Sequence, residues 1–178
     1  MPAVSIPFRR HSLRIKEYDY SSPGAYFVTV VTNSHKCIFG KLIDNEMHLY
    51  DLGKIAQECW LQLPDHFFDI EVEPFVVMPN HLHGIIIIHE NDRRGTIYRA
   101  PTTEKFGQPA VGSISTIMRT YKAAVSRLAT RKLGMVKIWQ RNYYEHIVRN
   151  QSDLESIANY ILNNPSHWSD DPENTHRP

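Results

Sequence analysis

The run His81-Leu82-His83-Gly84-Ile85-Ile86-Ile87-Ile88 constrains the fold more than any other part of this chain. Side chains alternate faces along a strand. Ile85 and Ile87 therefore share one face, and Ile86 and Ile88 the other. Apolar residues on both faces are the signature of a buried strand. The run is far short of the roughly 18 apolar residues that a membrane span needs. Residues 70–78 form a second strand-like run, separated from the first by Pro79-Asn80, and this spacing predicts a tight antiparallel turn.

Other elements follow from periodicity. Residues 25–32 (AYFVTVVT) are β-branched and aromatic, which predicts another buried strand. Residues 37–50 read as a strand or hairpin with Asp44-Asn45 near its turn. Leu52, Ile55, Ala56, Cys59, Trp60 and Leu63 repeat at the period of an amphipathic helix over 51–63, with Asp51 as N-cap and Pro64 as stop. A second helix is predicted over 111–132, ending near Gly134, and a third over 152–163. Ser152 and Glu155 have the spacing of a capping box for the third helix, and Pro165 would stop it. Residues 138–149 carry no clear period. Strands with separate helices and hairpin-like pairings predict an α+β domain with a mostly antiparallel sheet.

At 178 residues the chain suits one domain with a real core. The expected plan is a single domain over 1–178, with an N-terminal arm at 1–20, a mobile loop at 90–110 and a frayed polar tail at 166–178. The first residues lack the apolar stretch of a secretory signal. Cys37 and Cys59 are too few for a disulfide scaffold and read as inert packing residues. Cytoplasm is the expected compartment, without membrane association.

The net charge of +1 conceals a segregation. Residues 111–144 hold seven basic residues (Arg119, Lys122, Arg127, Arg131, Lys132, Lys137, Arg141) and no acid. Residues 1–16 hold four basic residues and no acid. Such patterning suits either a phosphate-binding face or a solvated basic helix.

His81 and His83 are the sharpest chemical signal. Spaced by one on a strand, they point the same way, and paired imidazoles on one face make half of a metal site. The same pattern also fits two histidines packed at a strand end. Tyr160 and Asn164 lie four apart on the third helix, hence on one face a turn apart. A phenol and an amide oxygen side by side offer a nucleophile and a hard metal ligand. Each residue alone fits a plainer role, as a half-buried aromatic or a helix C-terminal amide.

Together these residues resemble a known family. Met78-Pro79-Asn80-His81-Leu82-His83-Gly84 looks like the His-hydrophobic-His signature of HUH single-strand nucleases. More closely, the chain resembles the REP-associated tyrosine transposases, single-tyrosine relatives of small insertion-sequence transposases. Four ordered blocks carry the resemblance: residues 24–29, 77–88, 139–150 (WQRNYYEHIVRN) and 160–165 (YILNNP). The resemblance implies a ferredoxin-like antiparallel sheet with helices packed on one face. It implies that His81, His83 and Asn164 hold a divalent metal, Mg²⁺ or Mn²⁺, and that Tyr160 is the nucleophile, with Tyr144 its obvious competitor. The implied activity is cleavage and rejoining of single-stranded or hairpin DNA at palindromic repeats through a 5′-phosphotyrosine. The alternative is a catalytically inactive DNA-binding protein of the same fold.

Candidate DNA-binding residues are Arg119, Lys122, Arg127, Arg131, Lys137, Arg141 and His146. Tyr121, Trp139, Tyr143 and Tyr144 could stack on bases, although core packing suits most of them. Relatives of this kind act as a monomer or homodimer, and composition does not decide between these.

Overall fold

A computed structural model describes Tyr20, residues 22–90 and residues 112–175. The expected arm over 1–20, apart from Tyr20, and the loop over 90–110, apart from Glu90, lie outside the described residues. The elements run β1 (Gly24–Val31), β2 (Gly40–Ile43), β3 (Glu46–Leu49), α1 (Asp51–Leu61) and the one-turn α2 (Leu63–His66). They continue with β4 (Ile70–Glu71), β5 (Phe75–Val77), β6 (His81–Ile88), α3 (Ile114–Leu133), β7 (Tyr144–Val148) and α4 (Gln151–Asn163). A 3-10 helix, Pro165–Asp170, follows α4 directly.

The main sheet has the order β4-β6-β1-β7, with β5 also paired to β6, and every pairing is antiparallel. Taking β4 and β5 as one interrupted strand, the two crossovers through α1 and α3 give the expected ferredoxin-like plan. The strand predicted over 70–78 is broken around Pro74, which has no N–H to give to a ladder. β2 and β3 form a separate hairpin, turned by Asp44 and Asn45 at φ 51° and 63°. Two positive φ angles in sequence suit the twist of a two-residue hairpin turn.

The register assigns each residue of β1 and β6 to a face. Tyr26, Val28 and Val30 pair with Ile86, Gly84 and Leu82. Their side chains join α1 and α3 in the larger core, beside Trp60, Ile117, Met118 and Tyr121. A Cβ at Gly84 would run into the Trp60 indole, so glycine here lets α1 lie close on the sheet. Trp60 Nε1 donates to the Val72 carbonyl at 2.8 Å, and Tyr121 Oη donates to the Ala56 carbonyl at 3.2 Å. These bonds satisfy the polar ends of two large buried rings.

On the opposite face, Phe27 and Ile85 meet Ile157 and Ile161 of α4 in a second, smaller core. Helices on one face therefore holds for the two crossover helices, and α4 corrects it. On this side Ala25 and Phe27 of β1 and Ile85 and Ile87 of β6 are apolar too, and α4 is the element that covers them.

The ends of the helices also differ from expectation. The N-cap of α4 is Asn150, whose side chain accepts from the Asp153 amide at 2.9 Å, not Ser152. Tyr50, not Asp51, is the N-cap of α1. Pro64 sits in the first turn of α2, where a missing N–H costs nothing, so it does not end the helical path. Gly134 closes α3 as predicted, at φ 64°. Cys59 is buried, whereas Cys37 is exposed and is not a packing residue. No described helix is long and apolar enough to cross a membrane.

Candidate metal centre

The site forms on the α4 face of the sheet, where β6 begins. His81 and His83 are both fully buried there, with ring centroids 4.3 Å apart. β1 supplies Thr29, the register partner of His83, and its Oγ1 lies 2.8 Å from His83 Nδ1. The last turns of α4 bring Tyr160 and Asn164 over the pair. Phe27 sets the Tyr160 ring from below, edge-on at 6.2 Å.

The residue that completes the cluster is Asp171, just past the 3-10 helix. The expected fraying of the polar tail does not hold at this point, and residues 176–178 lie outside the described residues. Asp171 and Asn174 are buried, and Trp168 packs its ring 5.9 Å from His81. Asp171 Oδ2 lies 3.9 Å from His81 Nε2 and 3.8 Å from His83 Nε2. It accepts from Asn164 Nδ2 at 2.7 Å and from Tyr160 Oη at 3.3 Å, and Tyr160 Oη also lies 3.3 Å from His83 Nε2. Among the described residues, ligand atoms of His81, His83 and Asp171 all fall within 4.8 Å of one another, a group that could hold a metal ion.

Two buried atoms fit that use. His81 Nε2 and Asn164 Oδ1 have no hydrogen-bond partner. Leaving a buried polar atom unmade costs about 1–3 kcal/mol. An acceptor nitrogen and an acceptor oxygen beside a carboxylate and a second imidazole make a donor set suited to a divalent cation. Electrostatics agree. Burial, then the neighbouring His83, hold the His81 imidazole well below its usual pKa, so it stays neutral as a ligand must. Burial alone would raise the Asp171 carboxyl, but His83, His81 and the Asn164 amide outweigh it and hold it well below the usual carboxylate range. Burial and then the Asp171 charge push the Tyr160 phenol well above its ordinary value.

His81, His83, Tyr160 and Asn164 thus converge, as their spacing and the family resemblance suggested. Tyr144 pairs with Thr29 across β1, and its ring meets Phe27 edge-on at 6.3 Å. The basic candidates divide. Arg119, Arg127, Arg131, Lys137 and Arg141 are exposed. Lys122 instead donates to the Gln140 and Asn142 carbonyls at 2.7 and 2.8 Å, and burial brings its pKa down to about 8. His146 lies 3.1 Å from Asp153 Oδ2, tying β7 to the first turn of α4. Both have structural work that their place in a basic or family-typical stretch does not reveal.

Sequence reasoning missed Asp171, because an acid beside Asp170 and Glu173 in a polar C-terminal stretch carries no periodicity to single it out. It also read Asn80 only as a turn residue.

Known proteins with this sequence pattern and fold point the same way. The chain is 38% identical over 164 residues to an uncharacterised protein of Haemophilus influenzae, covering 91% of each. It is 25% identical over 147 residues to another protein of that organism, described as a "Putative REP-associated tyrosine transposase", covering 83% of this chain and 73% of that one. The chain is thus similar in sequence to a relative described as a REP-associated tyrosine transposase. No family model matches the sequence. A solved REP-associated tyrosine transposase bound to a REP hairpin shares the fold, with a TM-score of 0.57 at 21% identity over 93% of this chain and 79% of that one. This similarity and the shared fold make the cluster around Tyr160 the candidate functional centre.

Proposed function

We propose that the protein nicks and rejoins single-stranded DNA at hairpin-forming repeats, with Tyr160 as nucleophile and a divalent cation, Mn²⁺ or Mg²⁺, as cofactor. The observation that carries this reading is the position of Tyr160 Oη, 3.3 Å from both Asp171 Oδ2 and His83 Nε2. A phenol aimed at a His pair and a carboxylate is placed to attack a phosphodiester held over them.

His81, His83 and Asp171 would hold the cation, with Asn164 Oδ1 as a further donor. Bound there, it would supply charge for the non-bridging oxygens of the scissile phosphate. Tyr160 Oη attacks the phosphorus as its proton passes to water, the bond to the 3′ oxygen breaks, and that oxygen takes a proton from water, leaving a 5′-phosphotyrosine and a free 3′-hydroxyl. In the resting site the phenol donates to Asp171 Oδ2 at 3.3 Å. Attack by another 3′-hydroxyl on the phosphotyrosine reverses the step and joins strands without an external energy source. The exposed Arg119, Arg127, Arg131, Lys137 and Arg141 would contact the phosphate backbone, as monomer or homodimer, on DNA in the cytoplasm.

The test is incubation with end-labelled hairpin DNA from repeats flanking the gene, with Mn²⁺, followed by a denaturing gel. The expected result is a slow-migrating protein–DNA adduct, lost with chelator and in Tyr160→Phe. An adduct that survives Tyr160→Phe and vanishes in Tyr144→Phe would move the nucleophile. Cleavage without an adduct would point to attack by water. Tight hairpin binding without cleavage would favour an inactive DNA-binding protein.

A further inference from the structure

We propose that Asn80 is a positioning residue that sets the tautomer of His81 and, with the same carboxamide, clamps the chain segment that carries Asp171. The proposal rests on the metal-site reading above. Asn80 is fully buried. Its Nδ2 donates to the His35 carbonyl at 3.2 Å and to the Glu173 carbonyl at 2.7 Å. Carbonyl oxygens only accept, so these two bonds fix which end of the carboxamide is the NH₂. The other end, Oδ1, then faces His81 Nδ1 at 2.8 Å.

An amide oxygen also only accepts. His81 Nδ1 must therefore carry the hydrogen, and in a neutral ring this leaves Nε2 as a bare lone pair. Nε2 is the buried atom without a partner, on the side facing Asp171. The opposite tautomer would set two lone pairs against each other at Nδ1 and direct an N–H where a cation ligand is needed.

The Glu173 bond adds a second consequence. Asp171 Oδ1 accepts from the Glu173 amide at 2.7 Å, so the carbonyl that Asn80 holds and the carboxylate belong to one tight turn. One side chain thus orients a ligand at the start of β6 and anchors a ligand more than ninety residues away in sequence, at a separation of 93 for the Asn80–Glu173 bond. Orienting partners of this kind typically contribute about 10- to 100-fold to metal affinity.

The experiment uses the full chain labelled with ¹⁵N-histidine and freed of metal. Long-range ¹H–¹⁵N correlation reads the His81 ring tautomer, and Mn²⁺ titration by calorimetry reads affinity. Wild type should show His81 protonated at Nδ1 alone. Asn80→Ala should lose that single tautomer and bind Mn²⁺ about 10- to 100-fold more weakly. Asn80→Asp keeps the acceptor but loses the NH₂. It should retain the tautomer while amide exchange at Glu173 and Asn174 speeds up. A wild-type ring protonated at Nε2 would overturn the proposal without any variant, should Asn80→Ala fail to fold. Unchanged Mn²⁺ affinity in a folded Asn80→Ala, with His81→Ala abolishing uptake, would overturn it and leave the metal reading standing. Wild type that takes up no Mn²⁺ would instead overturn the metal reading and the proposal's purpose with it.

Discussion

The two faces of β6 were given different tasks by the same eight residues. Toward α1 and α3 the strand presents Leu82, Gly84, Ile86 and Ile88, all inside one large apolar cluster. Toward α4 it presents His81, His83, Ile85 and Ile87, where apolar packing covers only half of the strand. The first face holds the sheet to its crossover helices. The second gives up hydrophobic cover at its start, and fills that end with imidazoles, an amide and a carboxylate. Alternation along a strand lets neighbouring residues answer to separate demands. The division of labour is sharp enough to be broken one residue at a time.

His83→Ala should give the largest effect on the chemical face. Loss of a ligand imidazole removes charge stabilisation on the order of several kcal/mol, more than about a hundredfold in rate. Adduct formation with hairpin DNA should fall below detection, while the unfolding free energy of the metal-free protein, measured in urea, stays within about 1 kcal/mol of wild type or rises, since a buried polar ring is removed. A collapse of stability as large as the loss of activity would show that the two faces are not separable.

Leu82→Ala, one residue away, is the mirror experiment. Leu82 is fully buried on the core face. Truncation there should cost about 2–5 kcal/mol of unfolding free energy, through lost burial and the cavity left behind. Mn²⁺ affinity at low denaturant should change by no more than about twofold, since independent sites add to within roughly 0.5 kcal/mol. A drop in affinity comparable to that of His83→Ala would mean that core packing positions the ligands directly.

Acid should act on the chemical face before it acts on the core. His81 is a base whose folded pKa is depressed by burial and by His83. The unfolded chain therefore takes up a proton at a pH where the folded chain does not. Stability from this group is complete above the unfolded value of about 6.5 and is lost as pH falls below it. Asp171, a carboxyl with a depressed folded pKa, adds a loss of the same sign below about pH 4. Metal-free protein should lose up to about 1.4 kcal/mol per pH unit between pH 6.5 and 5, measured by urea unfolding. His81→Gln should flatten that slope. A slope unchanged in His81→Gln would assign the acid sensitivity to another group.

How much of this was legible in the sequence also divides by face. Core-face residues announce themselves by period. Leu52, Ile55, Ala56, Cys59 and Trp60 are buried in α1 as their spacing predicts, and Ile114, Ile117, Met118 and Tyr121 do the same in α3. His81 and His83 were legible because two of one unusual residue share a strand face, and Tyr160 with Asn164 because the interval is a helical turn. Asp171 and the carboxamide of Asn80 were not. Asp171 meets His81 and His83 from the far end of the chain, and Asn80 reaches Glu173 across a separation of 93 residues, contacts that no local pattern encodes. β7 was illegible for another reason. It is an edge strand whose residues Tyr144, His146 and Ile147 are only half-buried, so burial imposes no alternation on them. The placement of α4 was missed because a single apolar stripe says that a helix is covered, not by which side of a sheet.

The smallest effect should come from Thr29→Val, which alters the support of a ligand and leaves the ligand in place. Thr29 is 1% exposed, and its hydroxyl is the partner of His83 Nδ1 at 2.8 Å. Valine keeps the shape and the strand preference but offers no acceptor. A single net hydrogen bond is worth about 0.5–1.5 kcal/mol, so Mn²⁺ affinity should weaken about two- to tenfold. The His83 ring should at the same time lose its fixed orientation, visible as broadening of its ring resonances, with the His81 tautomer unaffected because Asn80 holds that ring separately. If Thr29→Val weakens Mn²⁺ as much as Asn80→Ala does, the two histidines are oriented by equal supports. If Thr29→Val has no effect, the Tyr160 side of the ring suffices to hold His83, and the asymmetry between the two imidazoles lies in the C-terminal clamp that only His81 shares.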